Sequence, residues 1–285
     1  MLIDAHIHLF PPEVRDDPAA CRTRDQQFGL LYDESASMAG AAEAVAALDE
    51  AGIDAAVAYG FPWSDTGLAR RHNEYLLEAA ARFPGRLIPA ACVHPLSSGA
   101  VEEAERALAA GARLLGEIGV YDRDLDGDVR PALEALAAVC RGQGKTLCLH
   151  TNEPVGHEYP GKAPMTLASL YRFIEAIPGQ PVILCHWGGG LFFFSLLRKR
   201  VREVLADVYL DTAASPFLYR PRIYRLACDL VGADRVLLGT DFPLLGWART
   251  AGELERAGIA DEERALICGD NAARLLGLAS PPGNG

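Results

Sequence analysis

Short apolar runs alternate with longer amphipathic stretches eight times along this chain, and that alternation leaves few folds open. The short runs fall at about 2–8, 55–61, 87–93, 112–120, 146–150, 181–186, 208–213 and 236–240. They are rich in leucine and β-branched residues and mostly lack a strict polar–apolar alternation, the pattern of strands covered on both faces. Helical patterns lie between them at 38–51, 66–82, 100–110, 129–142, 166–177, 192–206 and 219–231. A last stretch is broken near Gly269 and Asp270 and runs to about Leu278. Gly52 follows the first pattern as a helix stop. Repeated strand–helix alternation implies parallel strands joined by crossover helices. An open doubly wound sheet is the alternative. Eight strands, and the lack of a glycine-rich phosphate loop after the first, favour an α/β fold of the (β/α)8 TIM-barrel type. A length of 285 residues suits one such domain, which needs about 250. We expect a single barrel over 1–279 and a disordered tail over 280–285, where the sequence runs Ser-Pro-Pro-Gly-Asn-Gly. Two loops are long for this architecture, 9–37 after strand 1 and 151–165 after strand 5. Both leave C-terminal strand ends, where such barrels place their sites.

The charge narrows the partners. The formal net charge is −11, and lysine occurs only at Lys145, Lys162 and Lys199. Affinity for nucleic acid rests on cations that neutralise phosphates, so a small-molecule substrate is expected and nucleic acid is not. The seven cysteines are odd in number and form no CxxC pair. Three of them, Cys92, Cys148 and Cys185, fall in strand-like runs, which reads as free buried thiol in a reducing cytoplasm. No signal peptide and no membrane span are expected, because no run reaches about 20 apolar residues.

The histidines carry the chemistry. Asp4, His6 and His8 alternate along strand 1 and so share a face. His150 ends strand 5, His186 ends strand 6, Asp241 follows strand 8, and Glu117 lies near the end of strand 4. Four of the seven histidines and two carboxylates thus gather at one barrel mouth. Buried polar groups need partners, and a metal ion partners all six at once.

This arrangement resembles the amidohydrolase superfamily of metal-dependent hydrolases: His6-x-His8 after strand 1, single histidines after strands 5 and 6, and an aspartate after strand 8. The likeness runs from Asp4 to Asn271. Gly269 to Leu276 resembles the amidohydrolase-related, decarboxylase-like branch, and Gly116-Glu117-Ile118-Gly119 resembles the TatD-like branch. Many members bridge two metals with a carboxylated lysine on strand 4. Here Lys145, the nearest lysine, precedes strand 5 at the wrong end of the barrel. The resemblance implies Glu117 as the bridge in a binuclear centre, or as a neighbour of a single ion. It implies one or two divalent ions, with zinc first and manganese, iron or nickel open. The expected reaction is hydrolysis of a small-molecule amide, ester, lactone or phosphoester by metal-activated water, with Asp241 as the catalytic proton acceptor. The alternative is a metal-dependent, non-oxidative decarboxylase of a small carboxylic acid.

Secondary candidates lie nearby. Asn152, His157, Tyr159 and Lys162 in the loop after strand 5, and Trp187 after strand 6, are candidate substrate-binding residues. His94 reads as a capped structural histidine and His72 as a surface one. Asp4 is expected to orient a metal-bound imidazole. The apolar Phe192–Phe194 segment suggests a homodimer contact.

Overall fold

The computed structural model describes residues 1–198 and 200–278. The tail expected at 280–285 lies outside them. Eight strands form one parallel sheet in sequential order: β1 (Ile3–His8), β2 (Ala55–Tyr59), β3 (Leu87–Ala91), β4 (Leu114–Ile118), β5 (Thr146–Leu149), β6 (Val182–Leu184), β7 (Val208–Asp211) and β8 (Val236–Leu237). The segment after β8 closes the ring onto β1. Ala5 N–H donates to Leu238 O at 2.6 Å, Asp241 N–H to His6 O at 2.9 Å and His8 N–H to Phe242 O at 2.7 Å. The result is the (β/α)8 barrel that the eightfold alternation implied. Strand 8 is shorter than expected, because Gly239 N–H is taken by the Thr212 hydroxyl at 3.0 Å instead of a ladder partner.

The helices form where the sequence provides starts, stops and an apolar stripe. In α4 (Ala41–Ala51) the Glu43 carboxylate accepts from Gly40 N–H at 2.5 Å, and Gly52 ends the helix at φ +68°. In α5 (Thr66–Arg82) Asp65 caps Leu68 N–H at 2.9 Å. In α7 (Val129–Gly142) Leu133, Leu136, Ala137 and Cys140 form a buried stripe at helical spacing. Two apolar layers result. Small residues such as Ala5, Val57, Ala90, Cys148 and Cys185 fill the barrel interior, and larger ones such as Leu147, Leu170, Phe173 and Tyr224 pack outside it beneath the helices.

Three expectations change. The 9–37 loop carries three short helices, α1 (Pro12–Asp16), α2 (Pro18–Arg24) and α3 (Gln26–Leu31). The helix expected at 192–206 is not continuous. His186–Gly190 turn with left-handed φ values of +55° to +88°, a 3-10 segment follows to Leu196, and only Val201–Val204 form α-helix. Finally, His72 is buried rather than on the surface. Its ring sits under Gly60, donates to Leu9 O at 2.6 Å and accepts from Trp63 Nε1–H at 2.9 Å. Among the described residues no helix is long and apolar enough to cross a membrane.

Candidate metal centre

Two local irregularities aim the key side chains. On β1, Ile3 and Ala5 face the barrel interior, whereas Ile7 packs in the layer beneath α4. The pairing with β2 slips between Asp4 and Ile7, and this exchanges the faces so that His6 and His8 turn inward. On β4 the pairing with β5 slips between Leu115 and Ile118, the stretch that holds Glu117. Gly116 is required there: at φ +148° a Cβ would stand 2.5 Å from both Cβ and O of Cys148.

At the floor of the mouth, His6 Nε2 and His8 Nε2 stand 3.0 Å apart. Glu117 Oε2 is 3.8 Å from the first and 3.5 Å from the second. Asp241 Oδ1 lies at 3.8 and 3.5 Å from the same two nitrogens. Donors sharing one ion at about 2.1 Å lie about 3.0–3.4 Å apart in octahedral or tetrahedral sets. His6, His8 and Asp241 thus bring three donor atoms within 4.8 Å of one another and could hold a divalent cation, with Glu117 Oε2 beside the two imidazoles. Tautomers agree with this. His6 Nδ1–H donates to Asp211 Oδ2 at 2.8 Å, which leaves the Nε2 lone pair facing the set.

The other oxygen of Glu117 serves a second group. His150 Nδ1 is 2.9 Å and His186 Nε2 3.5 Å from Glu117 Oε1. His150 Nε2 faces Gly161 O at 2.8 Å, so both of its nitrogens already have partners. Glu117, His150 and His186 thus form a second set of ligand-type groups beside the first, with their donor atoms within 4.8 Å of one another. His186 Nδ1–H donates to Ala213 O at 3.0 Å, which fixes its ring.

The cluster's charges are tightly linked. Burial disfavours charge on His6, yet Asp211, Glu117 and Asp241 outweigh it and hold its pKa well above the usual value. Burial likewise opposes charge on His186, but Glu117, Asp241 and Asp211 push its pKa up to about 9. Burial and the neighbouring His6 lower that of His8. Glu117 stays well below the usual carboxylate range: burial acts to raise it, and His150, His186 and His6 prevail.

A cavity of about 640 Å³ opens above this floor. His8, Glu117, His150, His186 and Asp241 line its base, while Tyr32, Phe61, Tyr121 and Phe217 form much of its wall. Of the candidate substrate-binding residues, His157 and Tyr159 line it. Asn152, Lys162 and Trp187 do not. The Asn152 side chain is consumed by the Ala163 backbone, accepting from N–H at 2.8 Å and donating to O at 3.1 Å. Lys162 Nζ donates to His157 O at 3.0 Å and lies 3.7 Å from Glu153 and Glu158. Trp187 is fully buried, with Nε1–H on Ser215 Oγ at 2.9 Å and its ring edge-on to Tyr224. Asp4 touches no imidazole nitrogen; it accepts from the N–H groups of His6 and Thr240 and from the Thr240 hydroxyl. The orienting carboxylate is Asp211, which the sequence reading passed over although it too is an acidic residue closing an apolar strand. His94 is capped as expected, bonded to Gln27 at 2.9 Å.

The amidohydrolase family model matches residues 3–278. No curated protein matches the chain in sequence. Solved structures share its fold. A 5-carboxyvanillate decarboxylase from Sphingomonas paucimobilis is 20% identical, with 98% of this chain and 99% of that one aligned at a TM-score of 0.72. A dihydroxybenzoic acid decarboxylase from a Polaromonas species, with bound manganese and the inhibitor 2-nitroresorcinol, is 20% identical over 98% of both chains at a TM-score of 0.71. A 5-carboxyvanillate decarboxylase from Novosphingobium aromaticivorans, also with manganese, is 17% identical over 98% and 97% of the chains at a TM-score of 0.76.

Proposed function

The chain belongs to the amidohydrolase family, and from that premise we propose that it is a metal-dependent, non-oxidative decarboxylase of a small aromatic carboxylic acid. The observation that supports this is the gathering of ligand-type groups around His6, His8 and Asp241, with Glu117 beside them, at the base of an aromatic-walled cavity. Hydrolysis, the main expectation from sequence, is set aside, because most of the solved structures found alike over nearly the whole chain are decarboxylases. Manganese replaces zinc as the first choice of ion, since two of those structures hold it.

In this reading a bound divalent ion supplies Lewis acidity that draws electron density from the substrate's oxygens. The chain's own residues do the rest. Asp211 holds the His6 ring in register. Phe61, Tyr121 and Phe217 confine the arene and displace water. The carbon that loses CO2 must gain one proton as its bond to the carboxylate carbon breaks. His186 is the assigned donor. It lines the cavity, and its Nδ1–H is fixed on Ala213 O, which leaves Nε2, 3.5 Å from Glu117 Oε1, as the nitrogen that delivers the proton.

The test uses manganese-loaded protein with 2-hydroxybenzoate and 2,6-dihydroxybenzoate, following CO2 and arene. One CO2 per arene is expected. His186→Gln should keep the metal and lose about 100-fold or more in rate, the usual scale for a lost proton donor. Asp241→Asn should lose the metal as well. No CO2 from any aryl carboxylate, with one ion per chain confirmed, sinks the reading.

A further inference from the structure

A cavity for carboxylic acids would ordinarily offer a guanidinium or ammonium to the anion. Among the described residues lining this one there is neither lysine nor arginine. The basic groups on its wall are imidazoles, and three of them, His8, His150 and His186, are engaged with Glu117 or Asp241. Lys162, the cation that the sequence brings nearest, points into its own loop and is matched by two glutamates. Arg249 lies 4.6 Å over the ring of Phe217 and does not line the cavity. The wall does carry a carboxylate at Asp33, held below the usual range by Ser35.

Apart from the imidazoles, the hydrogen-bond donors that its side chains offer are uncharged hydroxyls. Tyr32 and Tyr121 line it, and neither hydroxyl has a hydrogen-bond partner among the described residues. Burial, reinforced by the charges of Glu117 and Asp241 for Tyr32 and of Glu117 for Tyr121, keeps both phenols far above their usual pKa, so they are neutral donors. Leu31, Phe61, Phe217 and Leu244 complete an apolar surround. An anion pressed against such a wall loses hydration without gaining a counter-charge, a cost that discriminates strongly.

Resting on the decarboxylase reading, we infer that the substrate is an aromatic monocarboxylate: its one carboxylate goes to the metal end, and every other ring substituent is uncharged, with a neutral acceptor facing Tyr32 and Tyr121. A ring bearing a second carboxylate is rejected by charge and not by size, since about 640 Å³ accommodates either.

Titration calorimetry on manganese-loaded protein separates the two causes. Three ligands differ only at one ring position: 2-hydroxybenzoate, its 5-carbamoyl derivative and its 5-carboxy derivative. The first two are expected to bind within about threefold of each other, and the dicarboxylate at least about thirtyfold more weakly, a gap of about 2 kcal/mol. Leu244→Arg, at the exposed rim, should narrow the gap between the dicarboxylate and the carbamoyl compound about tenfold. Equal or tighter binding of the dicarboxylate by the unaltered protein overturns the inference, as does failure of all three to bind. CO2 release is measured in parallel. The expected binding order without CO2 from any of the three leaves charge selection standing and removes the decarboxylase reading. CO2 released equally from the carbamoyl and carboxy compounds removes charge selection and leaves the reaction standing.

Discussion

The loop after β1 and the loop after β5 lean over the same cavity, but one is packed as a small core and the other is tied by hydrogen bonds. The first buries Phe10, Val14, Cys21 and Phe28 against Phe61 and Trp63. Phe28 alone stacks on Tyr32 with centroids 4.9 Å apart and meets Trp63 at 4.7 Å. The second has few apolar anchors. Asn152 clasps Ala163, Tyr159 O–H donates to Glu153 at 2.8 Å, and Lys162 donates to His157 O. Apolar burial is cooperative and continuous with the barrel, whereas hydrogen-bonded loops open locally at low cost. The difference assigns the Tyr32 and Phe61 side of the cavity to a fixed wall and the His157 and Tyr159 side to a movable one.

The largest effect should come from hollowing the fixed wall. Phe28 is completely buried, and truncating such a ring costs about 3–5 kcal/mol. Phe28→Ala should therefore lower the unfolding free energy of the whole protein in denaturant titrations. An unchanged midpoint with rapid proteolysis between residues 9 and 40 would show that this loop opens apart from the barrel, and the contrast would collapse.

His72 ties the fixed wall down and gives it a pH signature. Its ring joins Leu9 O to the Trp63 indole. Burial, with a small contribution from His8, pulls its pKa down from 6.5 to about 4. The folded-state value is the lower one, so below pH 6.5 the unfolded chain binds this proton more readily. The stability it contributes is complete above 6.5 and is lost as pH falls through that window towards 4. The gap corresponds to about 3 kcal/mol when fully developed. His72→Gln should lose less stability between pH 7 and pH 4.5 than the unaltered protein. Parallel pH profiles for the two would remove His72 as the titrating group.

These walls were not equally legible in the sequence. The barrel was, because strands buried on both faces and helices with one apolar stripe leave repeating patterns, and Leu133, Leu136, Ala137 and Cys140 show the second of them. The floor of the site was visible for the same reason: a polar residue ending an apolar strand stands out, as His6, Glu117, His186 and Asp241 do. Asp211 carried that signal and was overlooked inside its strand. The slip in pairing that turns His6 inward was not legible, since it depends on how β1 registers against β2. Nor were the cavity walls. Tyr32, Phe61, Tyr121 and Phe217 come from four separate strand-to-helix connections with no shared spacing. In the loop after β5, polarity alone could not say which side chains turn to the cavity. Asn152 and Lys162 are as polar as His157, yet they face the backbone.

The smallest predicted effect probes that movable wall. Asn152 is buried and meets Ala163 through both ends of its amide. Asn152→Ala leaves the Ala163 N–H and C=O without partners, a cost of about 1–3 kcal/mol if the site stays closed. A loop held by hydrogen bonds has a cheaper response, which is to open and let water satisfy both groups. The expected outcome is therefore a small shift in the global unfolding midpoint, with faster amide exchange at Ala163 and across 153–162. Exchange in the loop after β1 should not change. If the global midpoint falls as far as in Phe28→Ala, the loop after β5 unfolds only with the barrel. Both walls are then fixed, and substrate must enter through the static opening between them.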